Sequence, residues 1–419
     1  MKKTLKLLAM ALMAGAMFTA CGGDDDDNGG GGGGGGGDET TIPGVSVDNK
    51  LSGSVKAGFA GAIEIVGSGF DPAQDWVYIG YEKDGKTEYV RITDDVLTIK
   101  SGRISFGVSI DAAFLDKTFK VYLDRETTKM ALTNDLTFTM PTVAEGYIPD
   151  PYFRATLRST HDQQGNKEIA AMFTAYGLLD VAKAATATTV NLYASSAVSL
   201  EGIELFTGAT RLTGNDLAAL KVADFSKWKS SGPIFINMER AAALEEVIGG
   251  PSIGRLDCYD CEKLTKVDMH LSRWQYNFQL FSSANGESNV TYLDIRKLRT
   301  GTEMGGTVEN PNGTDANWKG YCHSENEWAP LLPGAWYRIA DNSHVLVDYQ
   351  FLLDKWSESN VIDGSGYSCI YSAWTRGATI DVYSSKNIDK KLGTVPMYKD
   401  DKGALTLTGA NGWVPAETE

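Results

Sequence analysis

The chain has 419 residues, with 39 lysines and arginines against 54 aspartates and glutamates, and a formal net charge of −15. This acidic balance argues against nucleic acid as the partner of the folded part, because neutralising phosphates requires clustered basic side chains. The length suffices for two or three domains with hydrophobic cores of their own. The 46 glycines and 10% aromatic residues are typical of an exported chain rich in strands and turns.

The first twenty residues have the layout of a secretory signal peptide. Lys2, Lys3 and Lys6 form a basic segment, an apolar run follows at residues 7–18, and small residues precede Cys21. The apolar run is too short for a membrane-spanning helix. We therefore expect residues 1–20 to be removed during export.

A cysteine directly after the small residues resembles the lipobox of bacterial lipoproteins. The resemblance implies that the thiol of Cys21 is acylated and that the mature chain begins there. The following "GGDDDDNGG" is similar to the acidic export tag of surface lipoproteins of the Bacteroidetes type, although a solvated spacer is the alternative interpretation. Nine glycines at residues 29–37 have too much backbone entropy to order, so residues 21–48 are predicted to be a flexible tether on the outer membrane.

Residues 49–141 alternate apolar and polar side chains between glycine-rich turns, as in "GAIEIVGSGF", "WVYIGYE" and "TFKVYL". About seven short strands at regular spacing predict an antiparallel β-sandwich of immunoglobulin-like size. The segment "AGAIEIVGSGFDPAQDWVYIG" resembles the IPT/TIG immunoglobulin-like family, in which a strand runs through a glycine turn into the next strand. The resemblance implies a spacer or contact domain.

Residues 150–157 have the signals of a helix start. Asp150 is placed to cap the helix, Pro151 fits its first position, and Phe153 and Leu157 fall on one face.

Residues 148–300 contain a degenerate repeat. In "IGRLDCYDCEKL" the apolar positions fit the leucine-rich-repeat frame loosely, and similar frames are anchored at Leu192, Leu212, Ile236, Leu256 and Leu280. The phrases "LAALKV", "LEEVIG", "LTKVDM" and "VTYLDI" recur between them, apolar at the first, fourth and sixth places. The segment "SSAVSLEGIELFTGATRL" also resembles exported leucine-rich proteins of the Bacteroidetes. We predict a short, irregular leucine-rich-repeat solenoid, with an unclassified α+β domain as the alternative.

The repeat frame bears on Cys258 and Cys261, because it places both side chains inward. A redox or zinc pair would need a second cysteine pair or several histidines nearby, and His270 is the only close one. Buried structural thiols are therefore favoured.

Residues 315–419 are predicted to be an aromatic-rich β domain. Exposed aromatic rings can stack on sugars, and the candidates are Trp336, Tyr337, Trp356 and Trp374. The alternative is that these side chains form the core of the domain. Whether Cys322 and Cys369 form a disulfide stays open.

The sequence contains no concentrated catalytic cluster. "GPSIG" at residues 250–254 matches G-x-S-x-G, but that elbow needs a strand before Ser252 and a helix after it, whereas Pro251 and a repeat strand flank it here. We expect no catalytic residue, metal or cofactor.

The predicted architecture is multi-domain and mainly β with some α: an N-terminal immunoglobulin-like β-sandwich, a leucine-rich solenoid and a C-terminal β-rich domain. The predicted function is that of a monomeric, surface-exposed lipoprotein of the outer membrane that binds a host protein or a glycan without chemistry. A glycan-active enzyme with its site in the C-terminal domain and a structural surface component are the alternatives.

Overall fold

The computed structural model describes residues 40–160, 166–230, 232, 234–272, 277–280, 288–296, 340, 342–349, 379–394, 398–399 and 405–406. The predicted lipidation site and sugar-stacking residues lie outside this part, as do the two cysteines of the C-terminal region: Cys21, Trp336, Tyr337, Trp356, Trp374, Cys322 and Cys369. Within the described residues, no helix combines the length and the apolarity that crossing a membrane requires.

The chain is mainly β, with several sheets and few helices. The helices whose bounds lie within the described residues are α1 (Pro151–Leu157), α2 (Lys167–Ala170) and α3 (Val181–Ala184), with 3-10 turns at Val143–Glu145 and Ile203–Leu205. The first ten strands are β1 (Ser46–Val47), β2 (Gly53–Lys56), β3 (Ile63–Ser68), β4 (Asp75–Lys83), β5 (Lys86–Arg91), β6 (Leu97–Lys100), β7 (Arg103–Phe106), β8 (Phe119–Arg125), β9 (Thr128–Ala131) and β10 (Leu136–Thr139).

The remaining strands are mostly shorter: β11 (Thr189–Asn191), β12 (Arg211–Thr213), β13 (Val222–Asp224), β14 (Ile234–Asn237), β15 (Glu246–Ile248), β16 (Ile253–Asp257), β17 (Lys266–Asp268), β18 (Asn277–Gln279), β19 (Tyr292–Asp294), β20 (His344–Asp348), β21 (Thr379–Tyr383), β22 (Lys391–Thr394), β23 (Tyr398–Lys399) and β24 (Leu405–Thr406). The contacts divide the chain into two compact units. The first comprises Met1–Tyr147 with Phe173–Leu179, and the second comprises Ile148–Met172 with Asp180–Glu419.

The first unit contains two sheets. One is four-stranded in the order β1-β3-β7-β6, and the other is six-stranded in the order β2-β10-β8-β4-β5 with β9 on β8. All of these pairs are antiparallel except β2 with β10. A single buried cluster joins inward side chains of both sheets, including Ile65 and Phe106 from the smaller sheet and Val77, Val121 and Leu136 from the larger.

The "GSGF" turn of the first unit requires its glycines. A Cβ at Gly67 would lie 2.1 Å from the carbonyl oxygen of Ser46, and a Cβ at Gly69 would lie 2.0 Å from that of Gly44. Gly69 also has a φ of 78°, which L side chains rarely adopt. The backbone can therefore approach β1 only where the side chain is absent.

The second unit begins with α1, and the predicted helix start is confirmed. Oδ1 of Asp150 accepts hydrogen bonds from the amides of Tyr152 and Phe153, both at 2.8 Å, and Pro151 occupies the first helical position. Oδ2 of the same carboxylate accepts from the amides of residues 198 and 199 at 2.8 and 2.9 Å. One buried aspartate thus caps the helix and fixes a turn more than forty residues away.

From β12 to β19 the strands of the second unit alternate between two parallel sheets. The five-stranded sheet has the order β11-β12-β14-β16-β18, and the seven-stranded sheet has the order β13-β15-β17-β19-β20-β21-β22. Only the final pair of the larger sheet, β21 with β22, is antiparallel. Each turn of the chain from β12 to β19 therefore adds one strand to each sheet.

The register of the five-stranded sheet corrects part of the predicted repeat frame. The positions that pair across the strands are Val190, Leu212, Ile236, Leu256 and Phe278. The three central anchors are confirmed, whereas Leu192 and Leu280 lie two residues past the paired position. The true intervals are 22, 24, 20 and 22 residues.

The larger sheet buries Ala223, Val247, Val267, Leu293 and Val345 at equivalent positions. Three of the recurring phrases have their fourth residue at the paired position of this sheet. The phrase "LAALKV" begins three residues too early to do so, and the segment in register with the other phrases is "LKVADF" at residues 220–225. Strands β20, β21 and β22 continue the same sheet, so this part of range 315–419 extends the sheet of the preceding range, whereas β23 and β24 pair with each other in a separate two-stranded sheet. A separate domain stays a prediction for the rest of that range.

Candidate functional site

The outward side of the five-stranded sheet carries a polar surface that we call the polar face. Inward positions 190, 212, 236 and 256 are fully buried and apolar, so the residues after them point to the opposite side. Two rows of outward side chains define this face: Asn191, Thr213, Asn237 and Asp257, and then Tyr193, Asn215, Glu239 and Tyr259. Strand alternation alone brings these residues together from four successive turns of the chain.

Beside the polar face, one residue with a left-handed backbone conformation follows each of four strands of the five-stranded sheet. Ala194, Asp216, Arg240 and Asp260 have φ angles between 51° and 60°. The amides of the first three donate at 2.8 Å to the carbonyl groups of residues 215, 239 and 259. The sequence gives no sign of this feature, because the four residues are not glycines and differ in type.

Side-chain hydrogen bonds order the second row of the polar face. Asn237 donates from Nδ2 to Glu239 at 2.9 Å, and the amide of Glu239 donates to Asn215 Oδ1 at 3.3 Å. Arg240 donates to Glu239 at 3.2 Å and to both oxygens of Asp216 at 2.7 and 3.1 Å. Arg240 is therefore shared between the carboxylates of Asp216 and Glu239.

Asp257 is the unusual residue of the polar face, since it is a carboxyl group with only 5% of its surface exposed. Burial raises its pKa to about 6, and the neighbouring Arg255 opposes that shift without cancelling it. Nε of Arg255 donates to Oδ2 of Asp257 at 2.7 Å. Burial also raises the pKa of the adjacent Tyr259 to about 12, which keeps that hydroxyl protonated.

Two buried oxygens of the polar face have no hydrogen-bond donor. They are Oδ1 of Asn237 and Oδ1 of Asp257. These two residues are paired in register on the neighbouring strands β14 and β16. Unsatisfied buried acceptors cost free energy and are uncommon in proteins, so a pair of them on adjacent strands indicates a place that receives donors.

The outward side of the seven-stranded sheet holds the one candidate metal cluster among the described residues. One ligand atom each of Asp268, His270 and Asp294 lies within 4.8 Å of the other two. His270 Nδ1 contacts Asp268 Oδ1 at 2.5 Å. Arg296 bonds both oxygens of the buried Asp294 at 2.7 to 3.1 Å, so a guanidinium already provides the positive charge that a cation would bring.

A second histidine–aspartate pair lies on the same side of that sheet. Nε2 of His344 is 2.9 Å from Oδ2 of Asp381, and Lys391 and Thr394 bind the other oxygen. Burial opposes the charge on Asp381, but these hydrogen bonds together lower its pKa. The carboxylate is fully engaged by its neighbours.

The larger sheet of the first unit has an exposed cluster of rings, here called the aromatic patch: Trp76, Tyr78, Tyr89 and Tyr122. Trp76 is 43% exposed and Tyr89 is 36% exposed. Gly80 makes room for the rings, because a Cβ there would lie 2.6 Å from Tyr122. This patch was not predicted from the sequence, although the alternation in "WVYIGYE" places Trp76, Tyr78 and Gly80 on one side of β4.

Cations cover part of the aromatic patch. The guanidinium of Arg91 lies 3.2 Å from the centre of the Trp76 ring, and Lys129 lies 5.5 Å from Tyr78 and 5.4 Å from Tyr89. The patch is therefore stabilised from within the protein, and it offers fewer bare ring faces than its composition suggests.

The two cysteines of the repeat are buried free thiols, as predicted. Sγ of Cys261 donates to the carbonyl group of Met238 at 3.0 Å. Burial raises the pKa of the Cys258 thiol, which keeps it protonated and unreactive.

Ser252 is not placed as a nucleophile elbow. Its hydroxyl donates to the carbonyl group of Ser230 and accepts from the amide of the same residue, at 3.3 and 3.1 Å. The strand β16 follows it directly, where an elbow would have a helix.

The predicted sugar-stacking residues Trp336, Tyr337, Trp356 and Trp374 stay predictions, since they lie outside the described part. Asp257 was quoted within the repeat but was not proposed as a site. Its outward direction could have been read from the inward Leu256 and Cys258 on either side. No family model, curated protein sequence or solved structure matches this chain.

Proposed function

We propose that this chain is a lipid-anchored protein of the bacterial surface that binds a host protein or a glycan without chemistry. For its first unit we propose an immunoglobulin-like β-sandwich of the IPT/TIG type. The support is one buried cluster shared by two mostly antiparallel sheets.

For the second unit we propose an irregular leucine-rich-repeat solenoid. Consecutive short parallel strands at intervals of 20 to 24 residues support it, as does the stacking of equivalent apolar residues in one row. We call the solenoid irregular because each turn also adds a strand to the seven-stranded sheet. Repeats of this kind need their neighbours to bury a continuous core.

Anchoring follows from the N-terminus. The basic and apolar segments direct export, Cys21 receives the lipid, and the acidic and glycine-rich run keeps the folded units away from the membrane. We propose that this run acts as a tether, which lets the folded units reach ligands away from the membrane surface.

The polar face carries the binding proposal. It combines half-buried amide, carboxyl and phenol groups in register on parallel strands, and it contains two buried acceptors without donors. Such an arrangement offers fixed hydrogen-bonding positions, which is the usual basis of specificity in a non-catalytic site. The observation that carries the proposal is the unsatisfied pair Asn237 and Asp257.

The anchoring is tested by labelling cells with a fatty-acid probe and then adding external protease. We expect a labelled chain that the protease removes, and an unlabelled chain when Cys21 is replaced in Cys21→Ser. A wild-type chain that carries no label, or one that intact cells shield from protease, contradicts the localisation.

The binding is tested with the purified protein on a glycan array and against immobilised host extracellular proteins. We expect saturable binding to one class and no turnover of the bound ligand. Cleavage of a glycan that a single carboxylate substitution abolishes would instead establish the enzyme. The absence of binding in both screens would favour a structural surface component.

A further inference from the structure

The strongest unexplained feature of the chain is the pair of donor-free oxygens on the polar face. Oδ1 of Asp257 belongs to a side chain that is only 7% exposed, and Oδ1 of Asn237 is buried on the neighbouring strand. Both atoms are acceptors, so they cannot satisfy each other while the carboxyl is ionised. A bound group that completes this pair has to bring two donors.

The charges around the pair indicate what kind of donor fits. Arg255 bonds Asp257 through Oδ2 at 2.7 Å, and Arg240 is shared between Asp216 and Glu239. Arg211 is a third nearby cation, and its charge acts to lower the pKa of Asp257. Three guanidinium groups thus face these three carboxylates, and a further ammonium group or metal ion would add uncompensated positive charge. Neutral donors such as hydroxyl groups match the balance that is present.

The surroundings of the pair favour a ligand with both hydroxyl groups and an apolar side. Phe235 and Tyr259 are half-buried on the same face, one before Asn237 on β14 and one just after β16. Sugar rings combine hydroxyl groups with apolar C–H surfaces that pack on aromatic rings. Arg255 has a side chain that is 40% exposed, so the guanidinium beside Asp257 is open to a ligand that approaches from solvent.

Resting on the proposed binding function, we propose that the polar face binds a neutral carbohydrate, with two hydroxyl groups of one sugar donating to Oδ1 of Asn237 and Oδ1 of Asp257. The same hydroxyl groups replace any water held there and reproduce its contacts. A host protein is the other ligand class, and the test separates the two.

The test uses the purified full-length protein in detergent on an array of neutral and acidic oligosaccharides. The best neutral binder is then titrated by calorimetry against three variants of the protein. Asn237→Leu removes one acceptor, Asp257→Asn replaces the other with a donor, and Asp224→Asn is the matched control, an exposed strand aspartate of the same unit.

We expect Asn237→Leu and Asp257→Asn each to weaken binding about tenfold or more, which is the effect of losing one well-placed hydrogen bond. Asp224→Asn should bind like the wild type. Thermal unfolding of each variant is measured in parallel. A folded Asp257→Asn protein that binds normally overturns the inference.

Further outcomes separate the inference from the proposed function. If a neutral oligosaccharide binds and Trp76→Ala abolishes that binding, the sugar binds at the aromatic patch and not at Asn237 and Asp257. The proposed binding function then holds, and the proposed binding site is wrong. If a purified host protein or a lysine-rich peptide binds and no neutral glycan does, the ligand class is wrong. If nothing binds, both the inference and the proposed function fail.

Discussion

Asp257→Asn is expected to stabilise the second unit at neutral pH. The carboxyl has a pKa of about 6 in the folded protein and about 3.9 in an unfolded chain, because burial disfavours its charge. A difference of about two pKa units corresponds to about 3 kcal/mol. The variant removes this cost, and its amide can donate toward Asn237 while its oxygen still accepts from Arg255.

The sign of the effect fixes its pH dependence. The folded state holds the proton more tightly than the unfolded state, so the contribution of this group to stability is greatest below about pH 4. It declines as the pH rises to about 6 and is level above that. The advantage of Asp257→Asn over the wild type should therefore be about 2 kcal/mol larger at pH 7.5 than at pH 4, where the unfolded-state carboxyl is already half ionised.

The assay is equilibrium urea unfolding of both proteins at pH 4.0 and pH 7.5, with Asp224→Asn as the control at an exposed position of the same unit. The relevant quantity is the difference in unfolding free energy between variant and wild type for the transition of the second unit. A difference that stays the same at the two pH values would refute the reasoning, since Asp257 would then titrate normally.

Substitutions at three further positions test the packing of the second unit. Asp150→Ala should lower the unfolding free energy by about 2–3 kcal/mol, because it removes a helix cap and leaves four amides without their acceptor, and Asp150→Asn should fall between it and the wild type in urea unfolding. Gly250→Ala should cost about 2 kcal/mol or more, since its Cβ would lie 2.1 Å from the carbonyl oxygen of Phe225, and a melting temperature equal to the wild type's would contradict this. Trp228→Phe should cost about 1–3 kcal/mol, because the buried indole loses its hydrogen bond to a backbone carbonyl group, and unchanged amide exchange in the second unit would argue against it.

Local signals in the sequence predicted local structure well. Asp150 and Pro151 determine where α1 begins, because capping and a fixed φ act within one turn of the helix. The apolar alternation of the first unit likewise predicts the strands on either side of the "GSGF" turn.

The repeat register was predictable only in its centre, and the reason is physical. Val190 and Leu192 are both inward and apolar, because side chains two apart on a strand share one side. Hydrophobicity alone therefore cannot distinguish the paired position from one shifted by two residues. The central anchors are correct because the paired residues Leu212, Ile236 and Leu256 are all large and apolar there.

The candidate site was less predictable than the fold. Asn237 and Asp257 are twenty residues apart in the sequence and meet only because β14 pairs with β16. The burial of Asp257 depends on neighbours from other turns of the chain, so no single segment indicates that its pKa is raised. Register across strands determines this site, and register was the uncertain part of the sequence interpretation.

The reversed direction of β22 has a consequence for assembly. In the described part of the chain, the seven-stranded sheet ends on this strand, which runs against β21 and begins with Lys391. The antiparallel β22 ends the parallel ladder, and the exposed Lys391 at its start places a charge on the edge, which disfavours pairing with a strand of another copy. Copies of the chain can thus remain separate although each contains a ladder of parallel strands.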